Sequence, residues 1–269
     1  MNNTDIEWTD YSWNPVVGCS KKSAGCNNCY ALRMAVRLAH NPKLSNDARE
    51  KYKRTVHIVN GKWQWTEQLS LFPERLEQPL KMRKPKRIFV CSMSDLFHES
   101  VPPSYIGMVL SMMKGAHRHT FQVLTKRPER MLELTNWLTD RDGWPNNVWL
   151  GVTAENQKRA DERISVLRQI PAAVRFVSVE PMLEPVAISQ YLRHEWIDCM
   201  DHARTKRAYS LEVNWVICGA ETGPGARYMD LSWARGLRDQ CKKADVPFFM
   251  KKVSSSTLPD DLMTREFPA

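Results

Sequence analysis

Cys19, Cys26 and Cys29 stand at the spacing C-x6-C-x2-C, and no other feature narrows the possible folds of this chain as far. Three thiols so close in sequence share one loop. The chain holds seven cysteines, an odd number scattered over its length, which does not suit a disulfide framework. Residues 1–8 carry Asp5 and Glu7 and lack a positively charged segment ahead of an apolar run, so no signal peptide is expected. No stretch of membrane-spanning length is free of charge either. A cytoplasmic, reducing setting follows, and clustered cysteines in such a setting are metal ligands.

What flanks the cysteines sets their place in a fold. A first strand is expected at 15–17, just before them, and a helix just after, because Leu32, Ala35, Val36 and Ala39 recur at i, i+3, i+4 and i+7. A metal loop after a parallel strand lies on the face where barrel enzymes carry out their chemistry. Three thiolates can hold three irons of a cubane cluster and leave the fourth iron open. They can equally be three of the four ligands of a structural zinc, with His40 or Cys91 as the fourth. Spacing alone leaves both open.

Downstream, short apolar runs alternate with amphipathic stretches, which is the pattern of parallel strands joined by crossover helices. Strands are expected at 88–91, 121–124, 148–152, 176–179, 215–218 and 247–250, where β-branched and aromatic residues are bounded by polar ones. Helical periodicity links Ile106, Val109, Leu110 and Met113; Met131, Leu134 and Leu138 after Pro128; Ala160, Ile164 and Leu167; and Trp233, Leu237 and Cys241. The expected class is therefore α/β, a partial (β/α) barrel of parallel strands with six or seven β/α units. A 42% hydrophobic fraction can fill one such core, so residues 1–269 are read as a single domain. Segments near 41–84 and 194–212 break the rhythm and are read as insertions.

Each expected strand runs out into polar residues: Ser92, Ser94 and Asp95; Thr125, Lys126 and Arg127; Thr153, Glu155 and Asn156; Glu180; Glu221; and Lys251 with Lys252. In a parallel barrel they share one mouth. There is no G-x-x-x-x-G-K-[ST] phosphate loop, no G-x-G-x-x-G fingerprint and no H-E-x-x-H, so nucleotide hydrolysis and zinc hydrolysis have no support. Lys plus Arg exceed Asp plus Glu by 39 to 30, giving a net charge of +9 that draws polyanions. The basic stretch around Arg204, Lys206 and Arg207 adds to this. Trp63, Trp65, Trp137, Trp144 and Trp149 are either base-stacking platforms or packing.

The blocks 7–10 (EWTD), 13–15 (WNP), 18–19 (GC) and 26–30 (CNNCY) open a longer pattern. It continues through 92–99 (SMSDLFHE), 124–131 (LTKRPERM), 149–153 (WLGVT) with 155–156 (EN), 178–181 (SVEP) and 219–227 (GAETGPGAR). Together they resemble a phage and prophage family of three-cysteine, radical S-adenosylmethionine (SAM)-like proteins, long classed as a domain of unknown function. The resemblance covers nearly the whole chain. It implies a radical-SAM-type barrel, a [4Fe–4S] cluster on Cys19, Cys26 and Cys29, and SAM at the open iron.

Within that resemblance, Ser92, Ser94 and Asp95 are expected beside the methionine ammonium, and Lys126 or Arg127 at a carboxylate or phosphate. Glu155 and Asn156 are expected at the ribose, with Thr153, Glu180 and Glu221 completing the SAM or substrate contacts. The expected reaction is reductive cleavage of SAM to a 5′-deoxyadenosyl radical that takes hydrogen from a substrate. Its concrete form would be rearrangement or other modification of a modified thymine-type base in phage DNA, in the host cytoplasm, with an electron donor such as flavodoxin or ferredoxin. The competing expectation is a zinc-stabilised nucleic-acid-binding module without catalysis.

Overall fold

Seven short strands carry the computed structural model, which describes residues 2–138, 144–192, 196–200, 206–210, 212–253 and 258–268. They are β1 (Tyr11–Trp13), β2 (Arg87–Val90), β3 (Thr120–Thr125), β4 (Val148–Thr153), β5 (Arg175–Val179), β6 (Trp215–Cys218) and β7 (Phe248–Met250). All are parallel, and their order in the sheet is their order in the chain. Each crossover thus adds its strand at the same advancing edge, and the sheet curls into a half-barrel. A two-residue strand, Asn2–Asn3, pairs antiparallel with β1 at the other edge.

The strands alternate strictly between two cores. Ile88, Val90, Val123, Leu150, Val152, Val177, Val179, Val216 and Phe248 belong to the larger one, which also takes the apolar faces of α3 (Pro103–Gly115), α4 (Pro128–Leu138), α5 (Gln157–Leu167) and α6 (Leu231–Lys243). Their neighbours Phe89, Phe176, Trp215, Ile217 and Phe249 point the other way and, with Trp8, plug the barrel interior. Trp8 and Phe89 lie with ring centroids 4.7 Å apart. Close approach within this plug explains Gly151 in the middle of β4: a Cβ there would stand 2.6 Å from the Phe176 ring. Gly151→Ala should therefore cost about 1–3 kcal/mol of stability by overpacking, measurable as a lowered denaturation midpoint with an unchanged m-value.

One expectation needs correction. The first barrel strand is Tyr11–Trp13, paired with Arg87–Val90, and not the segment at 15–17. Val16–Val17 instead pairs antiparallel with Ser70–Leu71 in a separate two-stranded sheet. The apolar pair looked more like a strand than Tyr11–Trp13, but only the latter has a β2 edge to join. The segment 41–84 is also structured. It holds α2 (Asn46–Lys53), capped by Ser45 accepting from the Ala48 N–H at 3.3 Å, and a hairpin of Val56–Val59 with Lys62–Trp65. Together with α1 (Tyr30–Ala39) these elements bury a core of their own around Ala31, Ala35, Ala39, Tyr52, Val56, Trp65 and Phe72.

Between β5 and β6 the described residues hold a short 3-10 turn, Ser189–Tyr191, and an antiparallel pair of strands, Trp196–Met200 with Lys206–Ser210. Lys206 and Arg207 open its second strand, and Arg204 lies outside the described residues. Among the described residues, no helix is long and apolar enough to cross a membrane.

Candidate functional site

The chain leaves β1 at Trp13 and enters the cysteine loop along the end of β2. Ser94 Oγ donates to the Val16 carbonyl at 2.9 Å, and the Gly18 N–H donates to the Met93 carbonyl at 3.2 Å. Gly18 adopts φ +100°, and a Cβ on it would stand 2.5 Å from the Gln68 carbonyl oxygen, so the turn demands glycine. Cys19 follows directly. Cys26 closes a short 3-10 turn, Ala24–Cys26, and Cys29 is the cap residue of α1. All three are free and half-buried.

The polar residues at the strand ends divide into two groups, and the larger group grips this loop. From the β2 end, His98 accepts the Ser100 N–H on Nδ1 at 3.1 Å, so Nε2 carries the proton and donates to Ser20 Oγ at 2.8 Å. After β3, Arg127 reaches Ser20 Oγ at 2.8 Å, Glu99 at 2.8 Å and Asp95 at 3.1 Å. Glu99 also pairs with Lys22 of the loop at 3.3 Å. After β4, Glu155 accepts the Gly25 N–H at 3.4 Å and pairs with Arg163 of α5 at 2.8 Å. After β6, Glu221 accepts from Asn28 at 2.8 Å, and Arg227 donates to the Ala24 carbonyl at 3.0 Å. Asn28 and Arg33 also bond to carbonyls of the glycine-rich turn at Gly225 and Thr222.

Asp95 illustrates why these residues are already committed. It is 5% exposed, and its oxygens accept from Thr125 Oγ1, the Phe97 and Lys126 N–H groups and Arg127. Ser92 is engaged with Asn14, and Asn156 caps α5 by accepting the Arg159 N–H at 3.0 Å. Ser92, Ser94, Asp95, Glu155, Asn156 and Glu221 thus hold the chain itself. His98, Glu99, Asn28, Arg163 and Arg227 complete the grip, and sequence reasoning gave none of them this role. Of these only Asn28 carries a local signal, since it stands between Cys26 and Cys29; the other four lie seven or more residues beyond the nearest strand end or cysteine.

The smaller group faces the barrel axis above the aromatic plug. Lys126 Nζ lies 3.4 Å from Thr153 Oγ1, and Lys251 pairs with Glu180. Gly219, between β5 and β7 ends, leaves room for that pair, since a Cβ on it would stand 3.2 Å from the Glu180 carboxyl carbon. These four side chains continue the inward alternation of their strands, following Leu124, Gly151, Ser178 and Phe249 by two residues.

Charge is distributed unevenly among the thiols. Burial and the nearby Asp95 push Cys19 up to about 12, against the pull of Arg127. Burial acts the same way on Cys26, but Lys126 and backbone hydrogen bonds from Lys22 and Ser23 outweigh it and lower its pKa. Hydrogen bonding from Arg227 brings Glu221 down to about 2, so the Glu221 clamp is charged at neutral pH. Among the described residues, no three His, Cys, Asp or Glu side chains converge on a position for one metal ion. One zinc with tetrahedral thiolates would need sulfurs roughly 3.8 Å apart, whereas a cubane takes each thiolate on a different iron and asks for a wider triangle. The donor set of soft thiols alone fits such a cluster. His40 stands at the far end of α1 from Cys29, about 16 Å along the axis, and Cys91 is buried in the larger core.

A family model described as a protein of unknown function, DUF5131, matches residues 3–261. The chain belongs to that family. No curated protein and no solved structure matches it. The DUF5131 match takes in all seven strands, the cysteine loop and the turn at 219–227, so barrel and clamp lie together within the family's span.

Proposed function

We propose that this chain is a radical SAM enzyme, with Cys19, Cys26 and Cys29 holding a [4Fe–4S] cluster. The observation that carries the reading is the cysteine loop itself: three free thiols at the mouth of a parallel half-barrel, gripped from the ends of β2, β3, β4 and β6. A structural zinc loop needs no such grip from four strands. When bound, the cluster would supply one electron for breaking the S–C5′ bond of SAM and so start radical chemistry on a substrate.

The residues have separable tasks in this reading. Arg127, Glu155, Glu221 and Arg227 fix the loop and keep its backbone donors and acceptors satisfied. Lys126, Thr153, Glu180 and Lys251 are the inward side chains left to meet the carboxylate, hydroxyl and ammonium groups of SAM or substrate. The aromatic plug below them keeps water from the barrel interior. The substrate we assign is a modified thymine-type base of phage DNA, on the net charge of +9 and the resemblance of the sequence blocks. Flavodoxin or ferredoxin would deliver the electron.

Protein purified without oxygen should be brown and contain iron and sulfide in equal amounts. Reduced and given SAM, it should release 5′-deoxyadenosine. A colourless protein carrying zinc would sink the proposal in favour of a zinc-stabilised nucleic-acid-binding module.

A further inference from the structure

Tyr30, Arg33 and Arg37 stand at i, i+3 and i+7 on α1, which ends at His40; at the N-terminal end Tyr30 Oη donates to the Ser92 carbonyl at 2.7 Å, at the rim of the barrel mouth. Tyr30, Arg33, Arg37 and His40 are all exposed, and α1 contains no acidic residue. Along the axis this stripe runs about 15 Å, beginning next to Cys29. Trp63 of the neighbouring hairpin extends it, with its ring 5.7 Å from that of His40 and 39% exposed. At the other end, Arg33 bonds to the carbonyls of Thr222 and Pro224, on the turn that carries Tyr228, which is 79% exposed.

The arginines of this stripe differ from several other surface cations, though Lys43 and Lys84 among others also lack a carboxylate partner among the described residues. Lys51, Lys53, Arg159, Arg235 and Arg238 all pair with carboxylates, whereas among the described residues neither Arg33 nor Arg37 does. Arg33 uses only neutral carbonyls, and Arg37 touches the Met34 thioether. Unpaired guanidinium groups interleaved with exposed rings are what a flexible polyanion with stackable faces requires. A base can reach a recessed barrel mouth only when it is out of a duplex stack.

We infer that the Tyr30–Arg33–Arg37 face of α1, with Trp63 and Tyr228 at its ends, is a binding track for single-stranded DNA that leads to the cysteine loop. It rests on the reading of a DNA base as substrate. The phosphates lie against Arg33 and Arg37, and bases stack on Trp63 and Tyr228.

The test is fluorescence anisotropy with a labelled oligothymidylate across a salt series, using full-length protein. Each lost phosphate contact lowers the logarithmic salt slope by about 0.7, so R33Q/R37Q should bind roughly tenfold more weakly with a slope smaller by about 1.4. Since Arg33 also anchors the 219–227 turn, R37Q alone provides a check free of that contact, with a slope smaller by about 0.7. Trp63→Ala and Tyr228→Ala should each weaken binding about tenfold while leaving the slope alone. R235Q/R238Q removes the same charge on α6 and should change nothing. Equal losses in the α6 variant would mean that the overall charge binds DNA and would overturn the track. So would absence of wild-type binding, or duplex binding of equal strength with the same dependence on Arg37. Iron content, measured on the same preparations, reports separately on the cluster, so a failed track and a failed radical SAM reading leave different signatures.

Discussion

Replacing Cys19, Cys26 or Cys29 singly with alanine should reduce cluster iron from near four per chain to background. A cubane left with two thiolates exposes a second iron and becomes labile, so the loss should be nearly complete for each variant and not graded. The fold should survive, because all three side chains are only half-buried and sit on a loop whose grip uses other residues: Ser20, Lys22, Ala24, Gly25 and Asn28. Circular dichroism and denaturation midpoints should therefore match wild type while iron and visible absorbance disappear. Cys91, Cys218 and Cys241 are buried among apolar side chains, where cysteine acts as a small hydrophobe, and their replacement should leave iron intact. Full iron in any of the three loop variants would remove that cysteine from the ligand set. Loss of iron in a Cys91 variant would do the same for the three-cysteine assignment as a whole.

The second large effect is expected at Glu155 and Arg163. Glu155 is fully buried and Arg163 is 3% exposed, with 2.8 Å between Nη1 and Oε2. Glu155→Ala leaves a buried guanidinium whose remaining partner is the Thr153 carbonyl at 2.7 Å. Breaking a buried pair from one side costs about 3–5 kcal/mol, which corresponds to a fall in melting temperature on the order of 10 °C. Replacing both residues with methionine should recover most of that loss, because no uncompensated charge is left behind. If the double variant is as unstable as Glu155→Ala, the damage comes from packing or from the Gly25 contact and not from the stranded charge.

The same pair has a pH signature. Burial raises the Glu155 carboxyl, but Arg163 and further hydrogen bonds outweigh it, and its pKa in the folded chain is lowered. A lowered carboxyl stabilises the fold above its unfolded value, and that contribution is lost as pH falls through the folded one. Wild type should therefore be more stable than Glu155→Gln at neutral pH, and the difference should shrink as the solution is acidified below the ordinary carboxylate range. A gap that stays constant with pH would assign the stabilisation to shape and hydrogen bonding alone.

What was legible in the amino-acid sequence follows from local physics. The strands from Arg87 to Met250 were readable because each is a short β-branched or aromatic run, buried on both sides. The helices were readable because Ile106, Val109, Leu110 and Met113, or Ala160, Ile164 and Leu167, must share a face at a 3.6-residue period. The cysteine spacing singled out the loop for the same reason, since three thiols that close in sequence cannot be far apart in space.

Tertiary structure decided the rest. Val16–Val17 is the more apolar segment, yet Tyr11–Trp13 joins the sheet, because membership depends on which backbone finds the free edge of β2. Likewise, residue type could not separate Glu155 and Glu221, which hold the cysteine loop, and Asp95, which holds Arg127 against it, from Lys126, Thr153, Glu180 and Lys251, which face the barrel axis. A carboxylate at a strand end has the same local sequence in either role. Which role it takes depends on partners far along the chain: Asn28 with Glu221 and Gly25 with Glu155 meet only when the parallel sheet brings its strand ends to one rim.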